Sequence, residues 1–218
     1  MSDSFSERKR RAQKIVDKLK ELFPEAVIAL QYSNLWELLV AVVLSAQNTD
    51  KKVNEVTEEL FKKYRTLDDY VNADSKEFER DLASINYYKT KAKNILASAK
   101  IMKGQFKGVV PKTMEELRML PGVGRKSAIV IQGTAYGIVE GIAVDTHVKR
   151  LSQKLGLTEK KDPEKIEKDL MEILPKEEWK DFTYRMIDYG RQYCPARKHP
   201  CEEHPLTKIY PPAATIWP

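Results

Sequence analysis

One stretch decides the fold of this chain: Leu120-Pro121-Gly122-Val123-Gly124-Arg125-Lys126-Ser127-Ala128. A helical pattern ends near Leu120, and another begins near Arg125 with apolar residues at helical spacing behind it. Two glycines lie between the helices, and glycine can take a positive φ and let the backbone approach another molecule closely. The N–H groups that open the second helix have no partner within that helix, so they can bind a phosphate. The pattern predicts two helices joined by a tight, anion-binding hairpin.

Lys126 lies near the start of the second helix. By itself, a Gly-x-Gly hairpin followed by lysine is just as typical of a helix end, a new helix and a solvated surface charge. A second segment, Val144-Asp145-Thr146-His147, favours a functional role, because Asp145 follows nineteen positions after the lysine. Asp145 is also well placed to be the N-cap of the next helix. We expect it to have both roles.

The composition is that of a folded, highly charged protein. The chain has 218 residues, 42% hydrophobic and 32% charged, which suits one domain or two small ones. No apolar run approaches the roughly 20 residues of a membrane span, and no signal peptide is recognisable, so we expect no membrane contact. Two cysteines indicate a reducing, intracellular setting. The net charge of +6 permits nucleic-acid binding without establishing it.

Helical periodicity runs through most of the chain, and no segment alternates with the period of two that marks a strand. The most apolar segment, 35–44, is capped by Asn34 and leads into the polar loop 45–50, and loops that leave a rigid core often carry function. The basic run 8–11 can touch DNA or form a solvated face. The adjacent Tyr87 and Tyr88 can stack on bases or lie half-buried. The chain is predicted to be all-α.

Three segments together resemble the endonuclease III family of DNA glycosylases, a branch of the helix-hairpin-helix superfamily. They are Leu44-Ser45-Ala46-Gln47-Asn48-Thr49-Asp50, Leu120 to Ala128, and Val144-Asp145-Thr146-His147. Their order and spacing match the family from about residue 8 to residue 201. The resemblance implies two helical domains with the active-site cleft between them. Residues 28–139 would form a six-helix barrel that contains the hairpin, and segments 1–27 and 140–218 would form the second domain.

The resemblance also implies how the chain holds DNA while a damaged nucleotide is rotated out of the duplex. The hairpin would contact phosphates without reading bases. Gln47 matches the glutamine that enters the gap left by the base, and Tyr87 stands where the family usually has an aliphatic wedge. The DNA-binding residues implied are Gln47, Tyr87, Gly122, Val123, Gly124, Arg125, Arg197 and Lys198.

Lys126 matches the family's nucleophile, which attacks C1′ of the deoxyribose and forms a Schiff base. The attack needs a neutral amine, so burial and a neighbouring cation such as Arg125 are expected to lower the lysine pKa from its usual value near 10.4. Asp145 matches the carboxylate that stabilises positive charge on the sugar. Relatives that act mainly as simple glycosylases have serine or tyrosine instead of the lysine, so Lys126 predicts a bifunctional glycosylase and AP lyase.

The chain departs from the family in its last segment. Most members end in Cys-x6-Cys-x2-Cys-x5-Cys, whose thiolates hold a [4Fe–4S] cluster. Here Cys194 and Cys201 remain, but His204 and Tyr210 occupy the other two positions. We therefore expect no iron–sulfur cluster and no metal. The alternative is a metal site formed by Cys194, His199, Cys201 and His204. The metal-free segment would be braced by packing of the tail, through Ile209, Tyr210, Pro211, Pro212 and Trp217.

The sequence thus predicts a monomeric base-excision-repair enzyme of the cytoplasm, associated with the nucleoid in a prokaryote. It would remove damaged bases, above all oxidised pyrimidines, from double-stranded DNA and cleave the abasic site by β-elimination. Two alternatives stay open. One is the same fold with a preference for pyrimidine dimers or mismatched bases, which pocket shape decides. The other is a non-catalytic DNA-binding protein, which should have lost Lys126 or Asp145.

Overall fold

The computed structural model describes residues 4–216, and no β-strand occurs in that range, so the all-α prediction is confirmed. No helix within the described part of the chain is both long and apolar enough to cross a membrane. The helices are α1 (Phe5–Leu22), α2 (Leu35–Ser45), α3 (Asp50–Lys63), α4 (Leu67–Asn72), α5 (Ser75–Asp81), α6 (Tyr88–Gln105), α7 (Met114–Arg118), α8 (Arg125–Tyr136), α9 (Thr146–Lys154), α10 (Pro163–Ile173), α11 (Trp179–Gln192) and α12 (Pro205–Ile209). Two 3₁₀ turns, Lys176–Glu178 and Pro211–Ala214, precede α11 and follow α12.

The chain divides into two compact units. The central unit is Ala29–Ile138 and contains α2 to α8. The two-segment unit combines Met1–Ile28 with Val139–Pro218 and contains α1 and α9 to α12. The hairpin and Lys126 therefore belong to the central unit, whereas Asp145 and both cysteines belong to the two-segment unit.

The central unit is built around α2. Asn34 caps this helix as expected, because its side chain accepts the N–H of Glu37 at 3.0 Å. Every residue from Trp36 to Leu44 is buried, and α2 packs against α3, α6 and α8. Full burial of one leucine or valine side chain contributes about 1.5–3 kcal/mol, so the helix is a rigid base. The loop that follows Ser45 is consequently held at a fixed place.

The two-segment unit is held by the apolar face of α1, which packs against α10, α11 and α12. Ser4 and Glu7 form a capping box at the start of that helix. From the basic run 8–11, Arg11 has a structural role. Its guanidinium stacks on the Tyr210 ring at 4.1 Å and donates to the carbonyl of Gly156 at 2.5 Å. One member of the basic run therefore serves packing.

Candidate active site

The glycine hairpin of the sequence prediction is present between α7 and α8. Gly122 has φ +87, and a Cβ placed there would lie 3.1 Å from Nδ2 of Asn94 and 3.3 Å from Cγ1 of Val43. Glycine is therefore required both by conformation and by close packing. Gly124 is the N-cap of α8 and makes no side-chain cap. Nothing lies within 4 Å of a Cβ placed at Gly124, so the first-turn N–H groups of α8 can be approached closely.

Lys126 is the second residue of α8, and its side chain is exposed, so the expectation that it is buried is wrong for this structure. The hairpin before it is anchored by two buried side chains, Leu120 and Val123. Ser98 on α6 adds a further link, because its hydroxyl donates to the carbonyl of Pro121 at 3.1 Å. The exposed amine therefore extends from a rigid support, as a nucleophile that must meet an external substrate requires.

Gln47 and Tyr87 both have left-handed backbone conformations, with φ values of 57° and 59°. Such values are uncommon for residues other than glycine, and the strain they store often marks functional sites. Asn86 connects the two loops, because its Nδ2 donates to the carbonyl of Gln47 at 2.7 Å and its N–H donates to Oδ1 of Asn48 at 3.0 Å. Tyr87 is 65% exposed. The structure therefore brings together the two residues that the resemblance assigns to the gap and the wedge.

Lys91 on α6 is a residue whose position the sequence did not reveal. Its Nζ donates to the carbonyls of Leu44 at 2.8 Å and Ala46 at 2.5 Å, so it caps the C-terminus of α2 directly before Gln47. Burial lowers the pKa of Lys91 to about 8. Lys91 follows Tyr87 and Tyr88, two tyrosines that the sequence permits to stack on bases, but its own side chain is buried. Its burial could have been predicted from its helical spacing with Ile95 and Ser98, which lie on the buried face of α6.

Asp145 is the N-cap of α9, as expected from sequence. Its Oδ1 accepts the N–H of Val148 at 2.8 Å, and its Oδ2 lies 3.1 Å from Nδ1 of His147. The imidazole in turn rests on Gly190, where a Cβ would lie only 2.6 Å from Cδ2 of His147. Both carboxylate oxygens are thereby fixed in direction, while the side chain stays 13% exposed. A fixed, partly exposed carboxylate can stabilise a positive charge that develops beside it.

Comparison with known proteins identifies the family. The model of the HhH-GPD superfamily of base excision DNA repair proteins matches residues 40–176. Endonuclease III of Synechocystis sp. is 45% identical over 209 residues, which cover 96% of this chain and 95% of the relative. The chain belongs to the endonuclease III family. Its function as a base-excision DNA glycosylase and AP lyase follows from that membership.

Two solved structures extend the similarity from sequence to fold. A structure described as a non-covalent endonuclease III–DNA complex has a TM-score of 0.90 and 43% identity, and the match covers 95% of this chain and 97% of that one. A second is described as a trapped endonuclease III–DNA covalent intermediate. Its TM-score is 0.88 at 44% identity, with 92% and 94% of the two chains covered. The helices described above therefore follow the fold of these two endonuclease III structures.

The expectation that this chain has no metal or cofactor is wrong. Membership of a family in which the last segment is a cluster site already argues against it. The structure also places Sγ of Cys194 and ring nitrogens of His199 and His204 within 4.8 Å of one another. The alternative set named from the sequence contained these three residues and Cys201, and the turn of residues 194–204, here named the Cys194 loop, decides which of them meet. One thiolate and two imidazoles suit a transition metal.

The Cys194 loop also contains two of the residues expected to bind DNA. Arg197 and Lys198 are both exposed at its outer part. The expected tail packing is present in part, because Ile209 and Tyr210 pack against the core of the two-segment unit. Pro211 and Pro212 are exposed, and Trp217 lies outside the described residues. Burial, with the nearby charges of His199 and Lys154, lowers the pKa of His204, which favours its neutral, ligand-competent form.

Proposed function

We propose that this endonuclease III family enzyme removes oxidised or ring-fragmented pyrimidines from double-stranded DNA and cleaves the resulting abasic site through Lys126. The observation that carries the assignment is the place of Lys126. It is an exposed amine on the second residue of a helix whose N-terminus follows an open glycine hairpin. A phosphate on that helix N-terminus would bring the neighbouring sugar close to the amine. We place the activity at the chromosomal DNA of the cytoplasm.

The hairpin is proposed to hold the phosphates. Backbone N–H groups near Gly122, Val123 and Gly124, together with the Arg125 side chain, offer donors that read no base sequence. Such contacts release counterions from DNA, so affinity is expected to fall steeply with salt. Arg197 and Lys198 would add further phosphate contacts from the two-segment unit.

Gln47 and Tyr87 are proposed to enter the duplex when the damaged nucleotide leaves it. Extruding a nucleotide costs a few kcal/mol of stacking and pairing, which a side chain in the gap can offset. Tyr87 offers an exposed aromatic face for stacking, worth about 1–3 kcal/mol with a base. The hydrogen bonds of Asn86 hold both loops in their left-handed conformations, so little ordering is needed on binding.

Lys126 is proposed to act as a neutral amine. Its nitrogen forms a bond to C1′ while the bond from C1′ to the base breaks, and the electron pair leaves with the base. Opening of the sugar ring then gives a protonated Schiff base. Loss of a proton from C2′ expels the 3′ phosphate, and water releases the enzyme. Lys126 is exposed without DNA, so its amine can meet the sugar of an extruded nucleotide.

Asp145 is proposed to stabilise the positive charge that develops on the sugar. Its two oxygens are already held by Val148 and His147, so the carboxylate needs no reorganisation as the charge appears. Asparagine at this position keeps an oxygen that can cap α9 but carries no charge. The substitution Asp145→Asn therefore separates the two roles of the residue.

Borohydride trapping tests the assignment on duplexes that carry an abasic site, an oxidised pyrimidine, a pyrimidine dimer or a mismatch. We expect the wild type to form a covalent adduct with the first two, and Lys126→Ala to form about 10³-fold less. The matched control is Lys100→Ala, an exposed lysine of α6, which should trap like the wild type. Asp145→Asn should slow base removal with an unchanged melting temperature. A Lys126→Ala variant that still traps normally contradicts the role of the lysine. Adducts with the dimer or the mismatch but not with the oxidised pyrimidine contradict the proposed lesion preference.

A further inference from the structure

We propose that Cys194, His199 and His204 bind a single divalent transition-metal ion, and that Zn²⁺ fits the donors best. The group offers one thiolate and two imidazole nitrogens, all within 4.8 Å of one another. Cys194 is 2% exposed, so its sulfur is shielded from solvent. Thiolate and imidazole ligands together select borderline ions such as Zn²⁺ over Mg²⁺ or Ca²⁺, which prefer oxygen.

His199 is oriented by its own loop. Its Nδ1 donates to the carbonyl of Arg197 at 2.7 Å, which fixes the proton on that nitrogen and leaves the lone pair on Nε2. A histidine ligand usually donates its second ring N–H to a carbonyl or carboxylate, which also makes it a better ligand. The Arg197 carbonyl has that role here. Nε2 of His199 is therefore the ring nitrogen that can face an ion.

His204 contributes a ring nitrogen whose hydrogen-bonding capacity is unused within the described part of the chain. Its Nδ1 is buried and has no hydrogen-bond partner among the described residues. A buried polar atom left unsatisfied is uncommon and often marks a missing ion or water. The ring stacks on His199 with centroids 5.1 Å apart, and its orientation is also held by the edge of Tyr193 at 6.4 Å. A metal ion would satisfy the unpartnered nitrogen.

The side chain of Arg150 contacts Cys194 at two atoms. Its Nη1 lies 3.7 Å from Sγ, and its Nη2 donates to the Cys194 carbonyl at 2.7 Å. Arg150 is itself buried, so water screens its contacts with Cys194 only weakly. Arg150 therefore holds both the sulfur and the backbone of Cys194 in place beside the two histidines.

Cys201 lies outside the group, although it is in the same loop and equally buried. Its Sγ lies 3.9 Å from the carbonyl oxygen of Ala213 and 3.6 Å from that of Ala214, and it donates to them as a thiol. The four-iron cluster of the family motif takes four thiolates. One thiolate with two imidazoles fits a single ion instead. Cys201 is therefore the matched control for Cys194.

Metal binding would fix the shape of the loop that contains Arg197 and Lys198. Bonds to zinc are about 2.3 Å for sulfur and 2.0–2.1 Å for nitrogen, so the three donors must move by about 1 Å to close on the ion. The ion then links the end of α11 to the start of α12 and removes the loop's freedom. The consequence for DNA affinity rests on the proposed function, whereas the metal site itself does not.

Element analysis of untagged protein from cells grown with both zinc and iron tests the site. We expect one metal ion per chain in the wild type and in Cys201→Ser. Cys194→Ser and His204→Ala should retain about a tenth or less of that amount. Circular dichroism shows whether each variant is folded. Wild-type protein stripped with a chelator and refilled with Co²⁺ should show a sulfur-to-cobalt charge-transfer band, a readout that needs no variant.

Three outcomes overturn the proposal. The first is wild-type protein without stoichiometric metal and without the cobalt band. The second is an equal loss of metal in Cys201→Ser and Cys194→Ser. The third is about four irons with acid-labile sulfide per chain. If metal binds as expected but removing it leaves DNA affinity unchanged, the site stands and only its link to the proposed DNA-binding role fails.

Discussion

The hairpin and the Cys194 loop, both proposed to contact DNA phosphates, are built by different means. The hairpin is fixed by backbone conformation and apolar anchors, with Gly122 at φ +87 and with Leu120 and Val123 buried. The Cys194 loop exposes the cations Arg197 and Lys198 and carries the three possible metal ligands. Its His199 and His204 are in contact only because the backbone turns back. A site made from main-chain N–H groups needs glycine at fixed positions. A site made from side chains needs a fold to bring them together.

The first prediction concerns Lys91, which caps the C-terminus of α2, the helix whose Val43 lies against Gly122 of the hairpin. The unfolded lysine has a pKa near 10.4 and the folded one about 8, so the unfolded chain binds more protons between these values. Stability should therefore rise with pH across that window, by up to about 3 kcal/mol relative to Lys91→Met. Chemical denaturation at several pH values measures the difference. The exposed Lys93→Met is the control, and equal pH profiles for both variants contradict the burial effect.

The second prediction concerns a substitution in the hairpin. Gly122→Ala forces a side chain into a left-handed conformation and against Val43 and Asn94, so unfolding should cost about 2 kcal/mol less. DNA affinity should fall with it, because the N–H groups shift. Gly104→Ala in α6 meets open space and should be neutral or slightly stabilising. Similar melting temperatures for the two variants would remove the argument that the hairpin depends on glycine.

The features that could be predicted from sequence are those that depend on residues close along the chain. The hairpin, the caps Asn34 and Asp145, and the buried face of α2 all depend on neighbours within a few residues, so pattern alone revealed them. The left-handed conformation of Gln47 could not be predicted, because that residue type usually avoids it. The contact of Lys91 with the end of α2 and the meeting of His199 with His204 depend on tertiary packing, which local spacing does not encode.

The smallest expected effect concerns the cations of the Cys194 loop. Arg197→Ala and Lys198→Ala should each weaken binding to undamaged duplex by up to about tenfold and reduce the salt slope of log K by about one. Titrations at several salt concentrations measure the slope, with Lys100→Ala as a surface control. A slope equal to that of the control for both variants would leave the hairpin as the main phosphate site and remove the loop from the DNA interface.

The proposed lyase reaction depends on one amine, and peptide mapping identifies that amine directly. Wild-type protein trapped on abasic duplex DNA with borohydride is digested and analysed by tandem mass spectrometry. We predict that the reduced sugar adduct lies on Lys126 alone. An adduct on any other amine contradicts the assignment.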